Sequence, residues 1–233
     1  MLPQLDLRLE TVAKQIQADC HADIGSDHGN LLVALLKNGR IQSAIAVENK
    51  RQPFENSQKA LIGLDGEARF ADGLKGLEVG EADSLSICGM GGGSIVSILQ
   101  ADPDRIPPKV VLQPNRDQAL VRHWAMENGF HLVEEQIAWG HWPYTILTYR
   151  SALGIDPAYG EEDLEAALMF GPLNIRRSDP SFIEHLSKER RYLQTLNRLS
   201  DSTRCRLELI EYVLCIRSPD LSRHQKSNPG FIT

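Results

Sequence analysis

Three short apolar runs in this chain each end on an acidic residue. Asp23-Ile24-Gly25-Ser26-Asp27-His28-Gly29 closes the first, Glu48-Asn49 the second and Asp72-Gly73 the third. A carboxylate at a strand end is a pure acceptor, suited to hydroxyl, amino or ammonium groups. Gly25 lets the backbone turn tightly after Asp23, and Gly29 opens the next helix where a ligand must come close. Glu48 lies about 20 residues beyond Gly25, the spacing at which an acidic side chain accepts hydrogen bonds from ribose hydroxyls in Rossmann-type sites. Asp72, with Gly73 beside it, is placed to meet an adenine amino group. The pattern is D-x-G-x-x-x-G, not G-x-G-x-x-G, which weighs against an NAD-dependent dehydrogenase. Each acid alone also reads as an ordinary turn or solvated residue. On three successive strands they reinforce one another, because ligands sit beyond the carboxyl ends of such strands.

Two further segments complete the set. Gly89-Met90-Gly91-Gly92-Gly93 follows a fourth run; so little side chain is costly to order unless backbone must approach something closely. Gln113-Pro114-Asn115 follows a fifth. Its carboxamides carry donors and acceptors together, the pairing suited to an adenine edge, with Pro114 holding the turn. The competing reading of Asn115 is a helix N-cap.

The elements that must position these residues alternate. Strands are expected at 20–24, 44–47, 68–71, 84–88 and 110–113, with helices at 31–37, 53–61, 94–100 and 118–127 between them. Such βα alternation predicts an α/β fold with a parallel sheet and helices on both faces. Segments 132–137 and 144–149 then follow without a helix between them, and the short loop Trp139-Gly140-His141-Trp142-Pro143 can only join antiparallel strands. Five parallel strands and an antiparallel pair resemble the seven-stranded sheet of Rossmann-like S-adenosylmethionine (SAM) methyltransferases. An amphipathic helix at 5–16 precedes the sheet. After it, 164–170 reads as a helix stopped by Gly171-Pro172, followed by an αα-hairpin with apolar faces Phe182, Leu186, Leu193, Leu196 and Leu207, Ile210, Leu214. The tail from Ser218 looks loose. Two domains are therefore expected, 1–155 and 156–233.

Composition narrows the class. The 233 residues are 42% hydrophobic and 24% charged, ordinary for a globular chain. No apolar run approaches the ~20 residues of a membrane span, and the N-terminus is unlike a signal peptide, so a cytoplasmic protein away from membranes is expected. Cys20, Cys88, Cys205 and Cys215 form no CxxC pair, so neither a metal knuckle nor a disulfide framework is expected. The net charge of −6 argues against a chain that coats nucleic acid, but it is unevenly placed. Residues 174–226 carry 11 Lys and Arg against 7 Asp and Glu, whereas residues 1–150 carry 14 against 19.

DIGSDHG, the acidic end of AIAVEN, ADGL, ICGMGGG and LQPN, in this order, resemble the bacterial tRNA adenine N1-methyltransferases that modify position 22. The resemblance covers nearly the whole chain and includes Phe170-Gly171-Pro172 and the helical C-terminal appendage. It departs after the histidine, where Gly29-Asn30-Leu31-Leu32 stand in place of the family's AYLP, and again at Asn49–Pro53. It implies SAM as cofactor, tRNA as partner, no metal, and methyl transfer to adenine N1. The implied cofactor residues are Asp23, Gly25, Asp27, Glu48, Asn49, Asp72, Gly73, Gly89, Met90 and Gly91. Asp27, His28 and Asn115 form the expected catalytic set, with Asp27 stabilising charge on the base and His28 orienting either Asp27 or the base. Gly92, Gln113, Pro114 and Asn115 are expected at the target base. Arg176, Arg177, Lys188 and Arg191, with Arg190, Arg198, Arg204 and Arg206, are expected at RNA phosphates unless they are simply a solvated helix face. Trp139, Trp142 and Tyr144 either stack on a base or cover the sheet edge. A monomer is expected. Two alternatives remain: a small-molecule methyltransferase of the same fold, and a non-catalytic SAM- or RNA-binding protein.

Overall fold

The computed structural model describes residues 3–160 and 163–217. The described residues divide into two compact units, with the division in sequence between Ala158 and Tyr159. In the first, helix α1 (Leu7–Gln15) starts where the Asp6 side chain accepts from the Leu9 amide at 2.7 Å, an N-cap that satisfies one of the helix's orphan donors. There follow β1 (Cys20–Ile24), α2 (Asn30–Lys37), β2 (Ser43–Glu48), α3 (Arg51–Ala60), β3 (Gly66–Phe70), β4 (Ser84–Gly91), α4 (Gly92–Ala101), β5 (Lys109–Arg116), α5 (Gln118–Glu127), β6 (Phe130–Trp139) and β7 (Pro143–Ser151).

The seven strands lie in the order β3-β2-β1-β4-β5-β7-β6. β1 to β5 pair in parallel, and β7 runs antiparallel to both β5 and β6. From β1 the chain winds outward to β2 and β3, then returns to place β4 on the opposite side of β1. That reversal between β1 and β4 opens a crevice at their carboxyl ends, where open α/β sheets bind ligands. One face of the sheet is sealed by a cluster joining Val12 of α1 and Ile16 just beyond its end, Leu31, Leu32 and Leu35 of α2, Ala44 and Ala46 of β2, Val111 of β5 and Ile146 of β7. Alternate strand residues enter this cluster because successive side chains point to opposite faces. Beyond the parallel strands, α5 is pinned to β6 by a fully buried ion pair, Arg122 to Glu135 at 2.8 Å.

The second unit holds α6 (Leu164–Phe170), α7 (Pro172–Arg177), α8 (Pro180–Gln194) and α9 (Asp201–Arg217). Gly171 and Pro172 do end α6, but Pro172 also starts α7, which the sequence reading missed: proline fits the first helical turn, where its missing N–H is no loss. Phe182, Leu186, Leu193, Ile210 and Leu214 are buried as expected, whereas Leu196 lies past the end of α8 and is 38% exposed. The tail from Ser218 lies outside the described residues. No described helix is long and apolar enough to cross a membrane.

Candidate active site

The carboxyl ends of β1 and β4 flank a cavity of about 350 Å³, lined by Arg8, Asp23, Gly25, Asp27, Cys88 and Met90 among others. A larger hollow of about 440 Å³ between α1 and α2 holds none of the acidic strand ends; its Arg40 is occupied with the Ile16 and Lys14 carbonyls.

Asp23, the last but one residue of β1, is buried, and its Oδ1 accepts from the Ser86 hydroxyl of β4 at 2.5 Å. Burial pushes its pKa up, against the pull of that hydroxyl and of the Arg8 charge. Gly25 then turns the chain at φ +77° and donates its N–H to Val47 of β2. A Cβ here would lie 2.4 Å from the Met90 methyl, the end of a flexible side chain that can move aside, so it is the positive φ that calls for glycine. Asp27 itself has φ +58°, uncommon for a residue with a side chain, although aspartate tolerates it better than most. This conformation points the Asp27 N–H at Glu48 Oε1. The buried Glu48 carboxylate therefore anchors the β1 loop to β2; burial, before any other influence, raises its pKa. At the end of β3, Asp72 is exposed and accepts from the Asn49 amide at 3.0 Å, with Gly73 beside it at φ +57°. Asp23, Glu48 and Asp72 thus stand at the ends of three adjacent strands, as the spacing predicted.

The two side chains expected to cooperate in catalysis are both open to solvent, Asp27 at 69% and His28 at 63%. Their nearest polar atoms are 3.6 Å apart, beyond a hydrogen bond. His28 Nδ1 instead lies 3.3 Å from the Asn56 amide of α3, so the expectation that His28 orients Asp27 is not met in this arrangement.

The QPN segment does something the sequence reading did not foresee. Gln113 is fully buried; its Oε1 accepts from both Arg8 Nη1 at 2.8 Å and the Gly89 N–H at 3.0 Å. Its amide donates to Asn115 Oδ1, and Asn115 donates to the Gly89 carbonyl at 2.7 Å. The two carboxamides clamp Gly89 on both sides. Gln113 and the buried Pro114 are framework here, whereas Asn115 stays exposed at the rim. Replacing Gln113 with alanine removes two acceptor contacts in the interior and is expected to lower stability by about 1–3 kcal/mol. Thermal denaturation checks this, and an unchanged melting temperature contradicts the clamp. Gly92 has a packing reason as well: a Cβ there would lie 2.3 Å from the Asp117 carbonyl.

Sequence reasoning missed Arg8. It sits on α1, far from every motif, yet it reaches the cavity beside Asp23 and is held there by Gln113. Also missed was the buried run Ser84–His21–Ser86 beneath Asp23, with His21 Nδ1 2.6 Å from the Ser84 hydroxyl and Nε2 2.9 Å from that of Ser86. Burial, helped by Lys109, lowers the His21 pKa to about 3. Unfolded, His21 takes a proton near pH 6.5; folded, it resists until about 3. Between those values the unfolded chain holds a proton that the folded chain lacks, so stability falls as pH falls. From pH 7 to 5 this amounts to about 2 kcal/mol. Asp23 and Glu48, with raised values, act in the opposite sense, so the effect is read as the difference between wild type and His21→Gln in urea unfolding at the two pH values. Equal pH dependence in the two proteins contradicts it.

In the second unit, Arg176, Arg177, Lys188, Arg191, Arg198 and Arg204 are exposed. Lys188 pairs with Glu184 at 2.7 Å, and Arg177 donates to Asn174 at 2.8 Å. Arg206 departs from expectation. It grips Glu189 and lies over the Phe170 ring at 5.1 Å, so it ties the helices together. In the β6–β7 hairpin Trp142 is 65% exposed, while Tyr144 packs on the sheet core.

A parallel sheet reversing between β1 and β4, acids on three consecutive strand ends and an antiparallel β7 define a Rossmann-like methyltransferase domain, and residues 5–147 match the methyltransferase domain family. The Bacillus subtilis tRNA (adenine(22)-N(1))-methyltransferase is 32% identical over 200 residues, 83% of this chain and 84% of that protein. The crystal structure of the B. subtilis M1A22 tRNA methyltransferase superposes with a TM-score of 0.81 at 29% identity, covering 92% of this chain and all of that one. A Streptococcus pneumoniae chain solved in complex with SAM gives 0.79 at 28% identity over 91% of this chain and 100% of that one. This chain belongs to the tRNA (adenine(22)-N1)-methyltransferase family.

Proposed function

We propose that this chain transfers the methyl group of SAM to N1 of the adenine at position 22 of tRNA. The observation that carries the reading is the cavity at the β1–β4 reversal, lined by Arg8, Asp23 and Asp27, with Glu48 and Asp72 at the ends of the two neighbouring strands. The residues suit the cofactor's chemistry: an ammonium finds the buried Asp23, a carboxylate finds Arg8, ribose hydroxyls find the free oxygen of Glu48, and an adenine amino group finds Asp72 with Asn49 beside it. Gly25 and Gly89, both in the left-handed region, leave the backbone bare where a ligand approaches.

When bound, SAM supplies an electrophilic methyl group on a sulfonium. The N1 lone pair of adenine lies in the ring plane and needs no base to free it, so the protein's task is alignment and exclusion of water. Positive charge develops on the adenine, and Asp27, exposed at the mouth of the cavity, is the carboxylate that meets it. Asn115, at the rim and fixed by Gly89, offers an amide to the base edge. Because N1 is buried in stacked or paired RNA, the nucleotide must be turned outward, which costs a few kcal/mol. Exposed Arg176, Arg177, Lys188 and Arg191 offset that cost through phosphate contacts. A small-molecule substrate leaves these exposed basic side chains without a use. A tRNA substrate also implies a cytoplasmic protein.

Incubation with radiolabelled SAM and bulk bacterial tRNA, followed by nucleoside analysis, is expected to yield labelled 1-methyladenosine. SAM binding by calorimetry with no label in RNA would instead point to a small-molecule substrate or a catalytically silent binder.

A further inference from the structure

The interior polar run beneath the cavity has one consistent direction. Ser86 donates to Asp23, so its oxygen is left to accept from His21 Nε2, and His21 Nδ1 must accept from Ser84. Each of the four residues is buried, at 4% exposure or less. The strand register makes the run: His21 pairs with Ser84 and Asp23 with Ser86 across β1 and β4. Two-residue spacing puts all four on one face of the sheet. An apolar core would fill this face at lower cost, since buried polar groups contribute only when every one is satisfied.

We propose that Ser84, His21 and Ser86 form a directional hydrogen-bond relay that fixes the orientation and ionised state of Asp23, so that its carboxylate receives the ammonium group of SAM. The inference rests on the cofactor reading above. Ser86 occupies Oδ1 from the neighbouring strand β4 and leaves the remaining acceptor capacity of Asp23 to the cavity it lines. His21 stays neutral because protonation at Nδ1 would break its bond from Ser84; its depressed pKa agrees. Aligned dipoles then point at Asp23 and offset the cost of keeping a carboxylate ionised in the interior. Other groups facing it are the Ser26 hydroxyl in the loop after β1 and Arg8 from α1, which favour the charge, Glu48 from β2, which opposes it, and the Cys88 thiol on β4, itself pushed up by burial; Lys109 of β5 acts on His21. Ser84, His21 and Ser86 are positioning residues in this account, because none of them touches the cofactor.

The test is calorimetric titration of SAM into the full chain from pH 5 to 9, with melting temperatures recorded for each variant. Ser86→Ala is expected to weaken binding about tenfold at neutral pH. It should also move the acid limb of the binding profile to higher pH, because Asp23 loses one of the two serine hydroxyls, Ser86 and Ser26, that favour its charged form. Glu48 is not bonded to Ser86, so its share of the acid limb stays in place. His21→Gln can accept from Ser84 and donate to Ser86, and should retain most of the affinity; His21→Leu should behave like Ser86→Ala. If the alanine variant fails to fold, Ser86→Thr keeps the hydroxyl and must keep the wild-type profile. In the ligand-free wild type, nitrogen NMR should find His21 neutral with its proton on Nε2. An unchanged Ser86→Ala profile, equal losses in His21→Gln and His21→Leu, or a proton on Nδ1 overturns the relay while SAM still binds. Absence of SAM binding by the wild type overturns the cofactor reading itself.

Discussion

Replacing Asp27 with asparagine is expected to lower kcat by about 10²–10³-fold, the usual consequence of removing one preorganised group that meets transition-state charge. SAM affinity should stay within about threefold, as for a surface substitution. The split follows from the loop geometry. The Asp27 backbone N–H is bonded to Glu48, and asparagine keeps both that bond and the positive φ it tolerates well. Only the charge is lost, at a position open to solvent until RNA covers it. Asp27→Ala should show the same loss of turnover with an added stability deficit of about 1 kcal/mol, since alanine is strained at φ +58°. Steady-state kinetics with saturating tRNA, beside calorimetry for SAM, separates the two constants. Equal losses in both, or none in kcat, contradicts the role given to Asp27.

Glu48→Ala should do the reverse and weaken SAM binding by about 100-fold or more. One charge-assisted contact to the cofactor's ribose disappears, worth about 1.5–3 kcal/mol, and so does the bond within the protein that holds the Asp27 N–H. The second loss matters because it frees the loop that carries Asp27. Glu48→Gln keeps an acceptor for that N–H and should fall between the two. Since burial raises the Glu48 pKa, affinity should also decline as pH falls into its titration range, where the neutral acid is the poorer acceptor. A Glu48→Ala protein that binds SAM normally would remove ribose recognition from β2.

Much of this arrangement was legible because it depends on local sequence. β1 ends at Ile24 and α5 spans 118–127, as the apolar periodicity indicated, and the three acids fall at the predicted strand ends. The hairpin of β6 and β7 followed from a loop too short for a crossover. What was not legible depends on residues distant in sequence. Gln113 looked like a base-reading side chain until Arg8, 105 residues away, took its oxygen. Arg206 looked like a phosphate contact until Glu189 and Phe170 enclosed it. The relay beneath Asp23 left one trace: His21 and Asp23 alternate with apolar residues in β1, as Ser84 and Ser86 do in β4. A strand in the middle of a parallel sheet is covered on both faces, so polar residues at period two there are neither solvent-facing nor idle. That signal was available in the sequence.

Methyl transfer to one adenine is tested most directly with two tRNA transcripts that differ only in adenine or guanine at position 22. Radiolabel from SAM should enter the first as 1-methyladenosine and be absent from the second. Equal labelling of both transcripts, or label in neither while SAM binds, would contradict the account.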